Sequence, residues 1–216
     1  MYETARKFGV DNPDIYWQQR KDKNRVGEKR LHRFLSNLVD GIVPKNGGRF
    51  LDCGMGSGHV FRLCMEKHQA YGIELSSEAI AMCNFPTHNI KQADLNNGIP
   101  DFGVKFDVII ASMVLHWLDN PEQFLCQAKT KLTQQGRLLV VIPNIVLYSY
   151  RIAYLFGKFP PISLSHKNFY VPKEVEQMFK NAGFSIERKL SARRSIHAKL
   201  LPVLFSADIV YVLKPI

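Results

Sequence analysis

Three glycines at alternating positions, Gly54, Gly56 and Gly58, follow a short apolar run from Arg49 to Leu51 that is typical of a β-strand. Glycine turns the backbone with positive φ and leaves no Cβ in the way of a ligand. A strand that runs into such a loop and then into a helix is the usual cradle for a nucleotide-like cofactor. The dinucleotide fingerprint, however, needs its third glycine where this chain has His59. The loop therefore predicts an α/β fold with a cofactor cradle that departs from the dinucleotide pattern.

Two acidic residues follow at the ends of later strand-like segments. Ala70 to Leu75 is predicted to be the second strand, and it carries Glu74 near its end. An acid at this place in an open α/β sheet accepts hydrogen bonds from both ribose hydroxyls. Ile90 to Leu95 is predicted to be a short strand end with Asp94, suited to the amino group of an adenine. The first half is therefore predicted to bind a ribose-bearing cofactor.

The rest of the chain continues the alternation of strands and helices. Continuous apolar runs are typical of strands that are buried on both faces, and turn residues separate the segments. The predicted elements are a helix at 59–68, a strand at 106–112, a helix at 122–132 that Gln135-Gly136 ends, a strand at 137–142, a helix at 171–181, and a closing antiparallel pair at 184–190 and 207–213. We expect a Rossmann-like three-layer α/β sandwich, with a seven-stranded, mostly parallel sheet and an antiparallel last strand.

Four motifs in order, LDCGMGSG, YGIELS, ADL and FDVIIASMVLHWL, resemble those of the class I S-adenosylmethionine-dependent methyltransferases over residues 49–144. The resemblance implies S-adenosyl-L-methionine as the cofactor and S-adenosyl-L-homocysteine as the product. It implies that Gly54, Met55 and Gly56 line the methionine moiety, that Ser112 lies beside the sulfonium, and that His116 faces the methyl acceptor. The implied cofactor-binding set is completed by Asp52, Gly58, Glu74 and Leu75, with Asp94 and Leu95 around the adenine. For His116, beside Trp117, a packing role is the alternative.

The segment before the first strand contains an aromatic pair followed by a base, Tyr16, Trp17 and Arg20. In related methyltransferases such a segment folds over the cofactor. The resemblance therefore implies a helical lid at about 1–46, with Trp17 and Arg20 in the cofactor site and Arg20 suited to a carboxylate. The alternative is that the segment docks against the sheet.

An aromatic and basic insertion at about 145–170 follows the fifth strand. Loops at the carboxyl ends of strands are where such sheets form substrate pockets, so Tyr148, Arg151 and Tyr170 are predicted to contact the acceptor. The segments PNIVLYSYRIAYLFGKFP and HKNFYVPKEVEQMFKNAGF resemble the MetW-type and sugar-pathway branches of the family, which we group as MetW-like or methyltransferase type 11. The second segment begins at His166.

Length, charge and cysteine content indicate the number of domains, the kind of partner and the location of the protein. The 216 residues predict one domain, residues 1–216, and the formal charge of +10 favours an anionic partner. The solvated face of an amphipathic helix is the alternative reading of the basic N-terminal cluster. We expect no membrane span and no signal peptide. The four cysteines show neither a CxxC pair nor metal-ligand spacing, which predicts reduced thiols, a cytoplasmic location and no metal.

Two motifs that the sequence lacks narrow the range of methyl-transfer reactions that we expect. Ala111-Ser112-Met113 provides neither the Pro-Pro-aromatic strand end of base amino-methylation nor a cysteine nucleophile. Direct in-line displacement is expected, with His116 or His166 as a base if the acceptor must lose a proton. We expect transfer to oxygen of a small-molecule, lipid-linked or sugar-linked acceptor. The alternatives are a non-catalytic protein partner of MetW type and an RNA methyltransferase, the nucleic acid being less favoured.

Overall fold

A computed structural model describes residues 12–23, 27–44, 47–158, 167–193 and 195–216. Seven strands form one sheet in the order β3-β2-β1-β4-β5-β7-β6, and β7 runs antiparallel to both of its neighbours. The strands are β1 (Arg49–Cys53), β2 (Gln69–Glu74), β3 (Ile90–Gln92), β4 (Phe106–Ser112), β5 (Leu132–Pro143), β6 (Phe184–Leu190) and β7 (Asp208–Pro215). This arrangement confirms the predicted fold class.

Helices cover both faces of the sheet. They are α1 (Pro13–Asp22), α2 (Arg30–Ile42), α3 (His59–Cys64), α4 (Ser77–Ala81), α5 (Pro121–Lys131), α6 (Tyr148–Leu155), α7 (Pro172–Asn181), α8 (Ile196–Leu200) and α9 (Pro202–Phe205). Two short 3₁₀ turns lie at Leu95–Asn97 and Leu115–Trp117. Within the described part of the chain, no helix is long and apolar enough to cross a membrane.

The continuous apolar runs fill two separate cores. Along β4, Ile109 and Ala111 face the core that also holds Phe124 of α5 and Phe179 of α7. The intervening Val108 and Ile110 face the core that holds side chains of α2 and α3. Each central strand is therefore buried on both faces, which explains why its sequence shows no polar alternation.

The strand order places a ligand crevice beside β1. The chain runs outward from β1 to β2 and β3 on one side, and from β4 onward on the other, so β1 and β4 meet at a topological switch point. Cys53 pairs with both Ile73 and Ala111, so the three strands end at one level. Ligands of such sheets bind outside the carboxyl ends at the switch point, where the glycine loop begins.

Several boundaries differ from the sequence prediction. The β5 strand begins at Leu132 and not at Arg137, because Leu132 already pairs with Phe106 before the register shifts. The predicted helix 59–68 ends at Cys64. Within the described part of the predicted lid, α2 buries Leu35 and Val39 in the core, so of the two helices described there α1 is the one left to cover the loop.

Candidate functional site

The glycine loop is a left-handed turn fastened to the neighbouring strand. Gly54, Gly56 and Gly58 have φ values of 68°, 58° and 71°, a region that side chains with a Cβ rarely adopt. The N–H groups of Gly54 and Met55 both donate to the carbonyl oxygen of Ile73, at 2.8 and 3.0 Å. The loop is therefore held across the end of β2.

Glu74 closes the same corner from the other side. Its carboxylate accepts hydrogen bonds from the N–H groups of Gly56 at 2.7 Å and of Leu75 and Ser76 at 2.9 Å each. The side chain is buried, and burial raises the pKa of its carboxyl group while the three N–H donors oppose that rise. Glu74 thus joins the ends of β1 and β2 at the predicted ribose position, and the half-exposed Leu75 follows directly.

Helix α1 lies on the glycine loop. A Cβ built on Gly56 would lie 2.6 Å from the Trp17 ring, so the indole packs directly against that glycine. The Arg20 guanidinium lies 5.5 Å from the ring centres of both Tyr16 and Trp17. The structure thus brings Trp17 to the predicted cofactor loop and stacks Arg20 beside it.

Asp14 fastens α1 in this place, a role that the sequence analysis missed. Its carboxylate accepts hydrogen bonds from the Ser76 hydroxyl at 2.6 Å, the Ser77 hydroxyl at 3.2 Å and the Glu78 N–H at 3.2 Å. The bond from Ser76 is the main reason why the pKa of this carboxyl is lowered. The signal available in the sequence was Asn12-Pro13-Asp14, a helix start with an acid in its first turn.

The end of β4 contains a strained residue. Met113 has a φ of 60°, and among the described residues other than glycine it alone has positive φ. Its N–H donates to the Val141 carbonyl at 3.0 Å, which holds the turn against β5. Val114 then packs on the glycine loop, since a Cβ on Gly54 would lie 2.7 Å from its side chain. The half-buried Ser112 lies at this strand end, across the switch point from the glycine loop.

His116 and Tyr170 meet in one small cavity. His116 is buried in the 3₁₀ turn Leu115–Trp117, and its carbonyl oxygen accepts a hydrogen bond from the Asn168 N–H at 2.9 Å. The cavity holds about 10 Å³ and is also lined by Ile142, Pro143, Ile145, Asn168 and Phe169. Burial raises the pKa of the Tyr170 hydroxyl. His166, the other candidate base, lies outside the described residues.

Asp94 and Leu95 occupy a local turn. The Asp94 carboxylate accepts a hydrogen bond from the Asn96 N–H at 2.9 Å and caps the 3₁₀ turn that Leu95 begins. The half-buried Leu95 packs against the core. The adenine role of both residues stays a prediction.

Tyr148 and Arg151, on α6, are held by contacts within their own part of the fold. The Tyr148 ring lies 5.4 Å from that of Phe205 in α9, and the Arg151 Nε donates to the Val146 carbonyl at 2.7 Å. The organising residue here is the buried Asn144, directly after β5. Its side-chain amide donates to the carbonyls of Val203 and Ser206, both at 2.7 Å.

Asp52 is a fully buried carboxyl group beneath the loop. Burial, with the nearby charge of Glu74, raises its pKa from the usual 3.8 to about 7. The unfolded chain releases this proton near the usual value, whereas the folded chain holds it up to about pH 7. The free energy of unfolding therefore loses its contribution from Asp52 as the pH rises through this interval.

Asp52→Asn is expected to gain stability over the wild type as the pH rises from about 4.5 to about 7.5, because asparagine cannot ionise. The difference in Tm between the two proteins, measured at both pH values, tests this expectation. Glu66→Gln, which removes an exposed carboxylate, controls for the change in net charge. A variant that loses relative stability toward high pH would show instead that the native fold stabilises the Asp52 anion.

The fold and the loop geometry are those of a doubly wound α/β protein with a glycine loop at its switch point. A family model described as a methyltransferase domain (Methyltransf_23) matches residues 16–189. The chain belongs to this methyltransferase-domain family. No curated protein matches the sequence.

Solved structures share the fold at low sequence identity. An S-adenosylmethionine-dependent methyltransferase from Clostridium acetobutylicum is 14% identical, with 99% of this chain and 98% of that chain covered and a TM-score of 0.65. The plantazolicin methyltransferase BpumL, solved with a triazolic desmethylPZN analogue and S-adenosylhomocysteine, is 14% identical, with 100% and 96% covered and a TM-score of 0.68. The mitomycin 7-O-methyltransferase MmcR is 14% identical, with 97% and 60% covered and a TM-score of 0.62.

Proposed function

We propose that this methyltransferase-domain protein transfers the methyl group of S-adenosyl-L-methionine to an oxygen atom of a small-molecule, lipid-linked or sugar-linked acceptor. The observation that carries the proposal is the glycine loop, whose Gly56 N–H is bonded to the buried carboxylate of Glu74. This bond supports the proposal because it holds the loop beside a carboxylate at the switch point of the sheet, where a cofactor cradle and a ribose acceptor are expected.

The residues of the corner fit the cofactor. A carboxylate offers about four acceptor positions, and three N–H groups occupy positions on Glu74, so a further position is left for a ribose hydroxyl. The three loop glycines let side chains pack directly on the loop backbone, and at Gly56 that side chain is Trp17. In our proposal, Trp17 acts here as a lid over the methionine moiety. Arg20, stacked on Trp17, supplies a cation for the carboxylate of the cofactor.

Bound S-adenosylmethionine supplies a sulfonium, which is a good leaving group, so the protein needs chiefly to align the acceptor and exclude water. In our proposal, α1 excludes water on the side of Trp17, and the strained Met113 turns the chain so that Ser112 faces the reacting centre. His116 accepts the proton of an acceptor hydroxyl. Its place at the carboxyl end of β4, where it lines one cavity with Tyr170, supports this role, because imidazole is the commonest general base in enzymes.

Transfer to oxygen is supported by two observations. The strand end Ala111-Ser112-Met113 offers none of the groups that amino-group or ring-carbon methylation of bases uses. The mitomycin enzyme, which shares the fold, is an O-methyltransferase by name. The narrower resemblance to the MetW-type branch stays a prediction, as do the non-catalytic partner and the RNA acceptor.

The test combines cofactor binding with the fate of a labelled methyl group. Calorimetry is expected to show binding of S-adenosylmethionine and S-adenosylhomocysteine. Incubation with methyl-tritiated cofactor and an extract of the cells that make the protein is expected to move the label into a small-molecule or lipid fraction. Hydrolysis then separates methyl esters from ethers and amines. Failure to bind at millimolar cofactor would refute the proposal, and label on nitrogen or in RNA would refute the assignment to oxygen.

A further inference from the structure

Helix α6 turns its apolar stripe toward solvent. Tyr148, Ile152, Leu155 and Phe156 lie at positions i, i+4, i+7 and i+8, which is one face of a helix, and their exposed fractions range from 48% to 84%. A surface helix of a globular protein normally packs this stripe on the core. In α6, by contrast, no residue is buried. The stripe is therefore unexplained by the packing of the described residues.

Helix α8 shows the same pattern. Ile196 and Leu200 are four residues apart on one face, Leu201 follows directly, and the three side chains are 53% to 73% exposed. The helix buries Ala198 instead. Two helices in different parts of the sequence thus expose large aliphatic side chains at helical spacing, which differs from the scattered single apolar residues of an ordinary surface.

The structure holds the α6 and α8 segments at one edge of the molecule. Asn144, at the end of β5, donates to the carbonyls of Val203 and Ser206 just beyond α8, and the rings of Tyr148 and Phe205 are in contact. We call the exposed side chains of these segments the apolar patch: Tyr148, Ile152, Leu155, Phe156, Ile196, Leu200 and Leu201. The patch lies at the carboxyl end of β5, the edge at which the glycine loop also lies.

Basic side chains flank the patch, and the acidic side chains near them are Asp119, which pairs with Lys167, and Asp208, which faces Arg193. The sequence contains no Asp or Glu between Gln123 and Lys173, and none between Arg188 and Ala207. Exposed basic side chains of these stretches are Arg151, Lys158, Lys167, Arg193 and Lys199. Lys158 and Lys199 thus lie within the segments that carry the exposed apolar side chains, and neither segment contains an acidic residue.

We propose that the apolar patch docks on the surface of an anionic phospholipid bilayer. Aliphatic side chains on a short helix enter the boundary between headgroups and acyl chains, and flanking Lys and Arg side chains bind the phosphates. A nucleic acid would engage the basic side chains but would leave Leu155, Leu200 and Ile196 in water. Docking turns the carboxyl edge of the sheet toward the membrane, where a lipid-linked acceptor is held. The docking itself does not depend on the proposed function.

Flotation of the full chain with vesicles tests the proposal. We expect binding to vesicles with about 30% phosphatidylglycerol at about 50 mM salt and weak binding to phosphatidylcholine alone. Leu155→Ser with Leu200→Ser is expected to lower the partition coefficient at least about tenfold, because two aliphatic side chains no longer enter the interface. Lys158→Gln with Lys199→Gln is expected to lower it by a similar factor on anionic vesicles only.

Matched controls separate docking from misfolding and from non-specific charge. Ile216→Ser removes an equally exposed apolar side chain beyond the opposite end of β7, and Lys105→Gln removes a lysine that bonds to the Thr130 carbonyl. Both variants should bind vesicles as the wild type does, and all variants should keep the same circular dichroism. Flotation measures binding to lipid and not methyl transfer, so failure of the methyl-transfer test leaves this result unaffected.

Three results would overturn the proposal. The first is a wild type that does not float with anionic vesicles at low salt. The second is vesicle binding that the two leucine substitutions leave unchanged. The third is self-association or RNA binding in the absence of lipid that the same leucine substitutions abolish, while they leave vesicle binding intact. That result would assign the patch to a second copy of the chain or to a nucleic acid.

Discussion

Replacement of Gly56 by alanine is expected to weaken binding of S-adenosylmethionine at least about hundredfold. Two effects combine. An alanine at a φ of 58° costs about 1 kcal/mol of strain. The added methyl group would also lie 2.6 Å from the Trp17 ring, so the loop or helix α1 must move. Because the Gly56 N–H also bonds to Glu74, any shift of the loop disturbs the ribose site. Calorimetric titration of the variant measures the loss.

Gly103→Ala is the matched control for backbone strain. Gly103 has a φ of 70°, and a Cβ there meets nothing within 4 Å. This variant is expected to lose about 1 kcal/mol in the free energy of unfolding and to keep the cofactor affinity of the wild type. If Gly56→Ala bound the cofactor as tightly as Gly103→Ala, the glycine loop would not be the cradle that we propose.

The fold was largely predictable because its signals are strong in a single sequence. Buried parallel strands appear as continuous apolar runs, and β4 and β6 match their predicted bounds. The start of β5 was not predictable, because Thr133-Gln134-Gln135-Gly136 is polar and ends in glycine, which is typical of a turn. Pairing across the sheet, through Leu132 and Phe106, overrides this local preference.

The features of the site that depend on residue type and spacing were predictable from the sequence. The features that depend on contacts between distant residues were not. Glycines and an acid at fixed spacing predict a glycine loop with a carboxylate beside it, and the structure joins Gly56 to Glu74 by a hydrogen bond. The roles of these residues toward a cofactor stay predictions. The left-handed conformation of Met113 has no sequence signal, because methionine does not favour positive φ. It is visible only in the structure, where the Met113 N–H donates to the Val141 carbonyl. The tether through Asp14 depends likewise on residues far along the chain.

The exposed face of α6 shows a different limit. Its apolar spacing in the sequence is that of an ordinary amphipathic helix, for which burial against the core is the natural expectation. Only the structure shows that the stripe of Tyr148, Ile152 and Leu155 faces solvent. Periodicity therefore predicts that a helix has an apolar side, but the direction of that side depends on tertiary packing.

Replacement of Glu74 by alanine is expected to weaken binding of S-adenosylhomocysteine about hundredfold. A ribose hydroxyl that donates to the free acceptor position of this buried carboxylate contributes up to about 3 kcal/mol, which corresponds to this factor. Glu78→Ala, four residues along the chain, is the matched control. It removes a carboxylate but keeps the bond to Asp14, which the Glu78 backbone N–H donates, so this variant should bind as the wild type does. Calorimetry on the three proteins gives the comparison.

A second ligand, the analogue of S-adenosylhomocysteine without ribose hydroxyls, separates the effect of a displaced loop on affinity from the effect of the lost ribose hydrogen bonds. Glu74 also holds Gly56, so part of the loss in Glu74→Ala reflects a displaced loop and affects both ligands equally. The wild type should prefer the natural ligand about hundredfold, whereas Glu74→Ala should bind the two within about threefold. If Glu74→Ala kept the full preference, Glu74 would only support the loop, and the ribose would be bound by another residue.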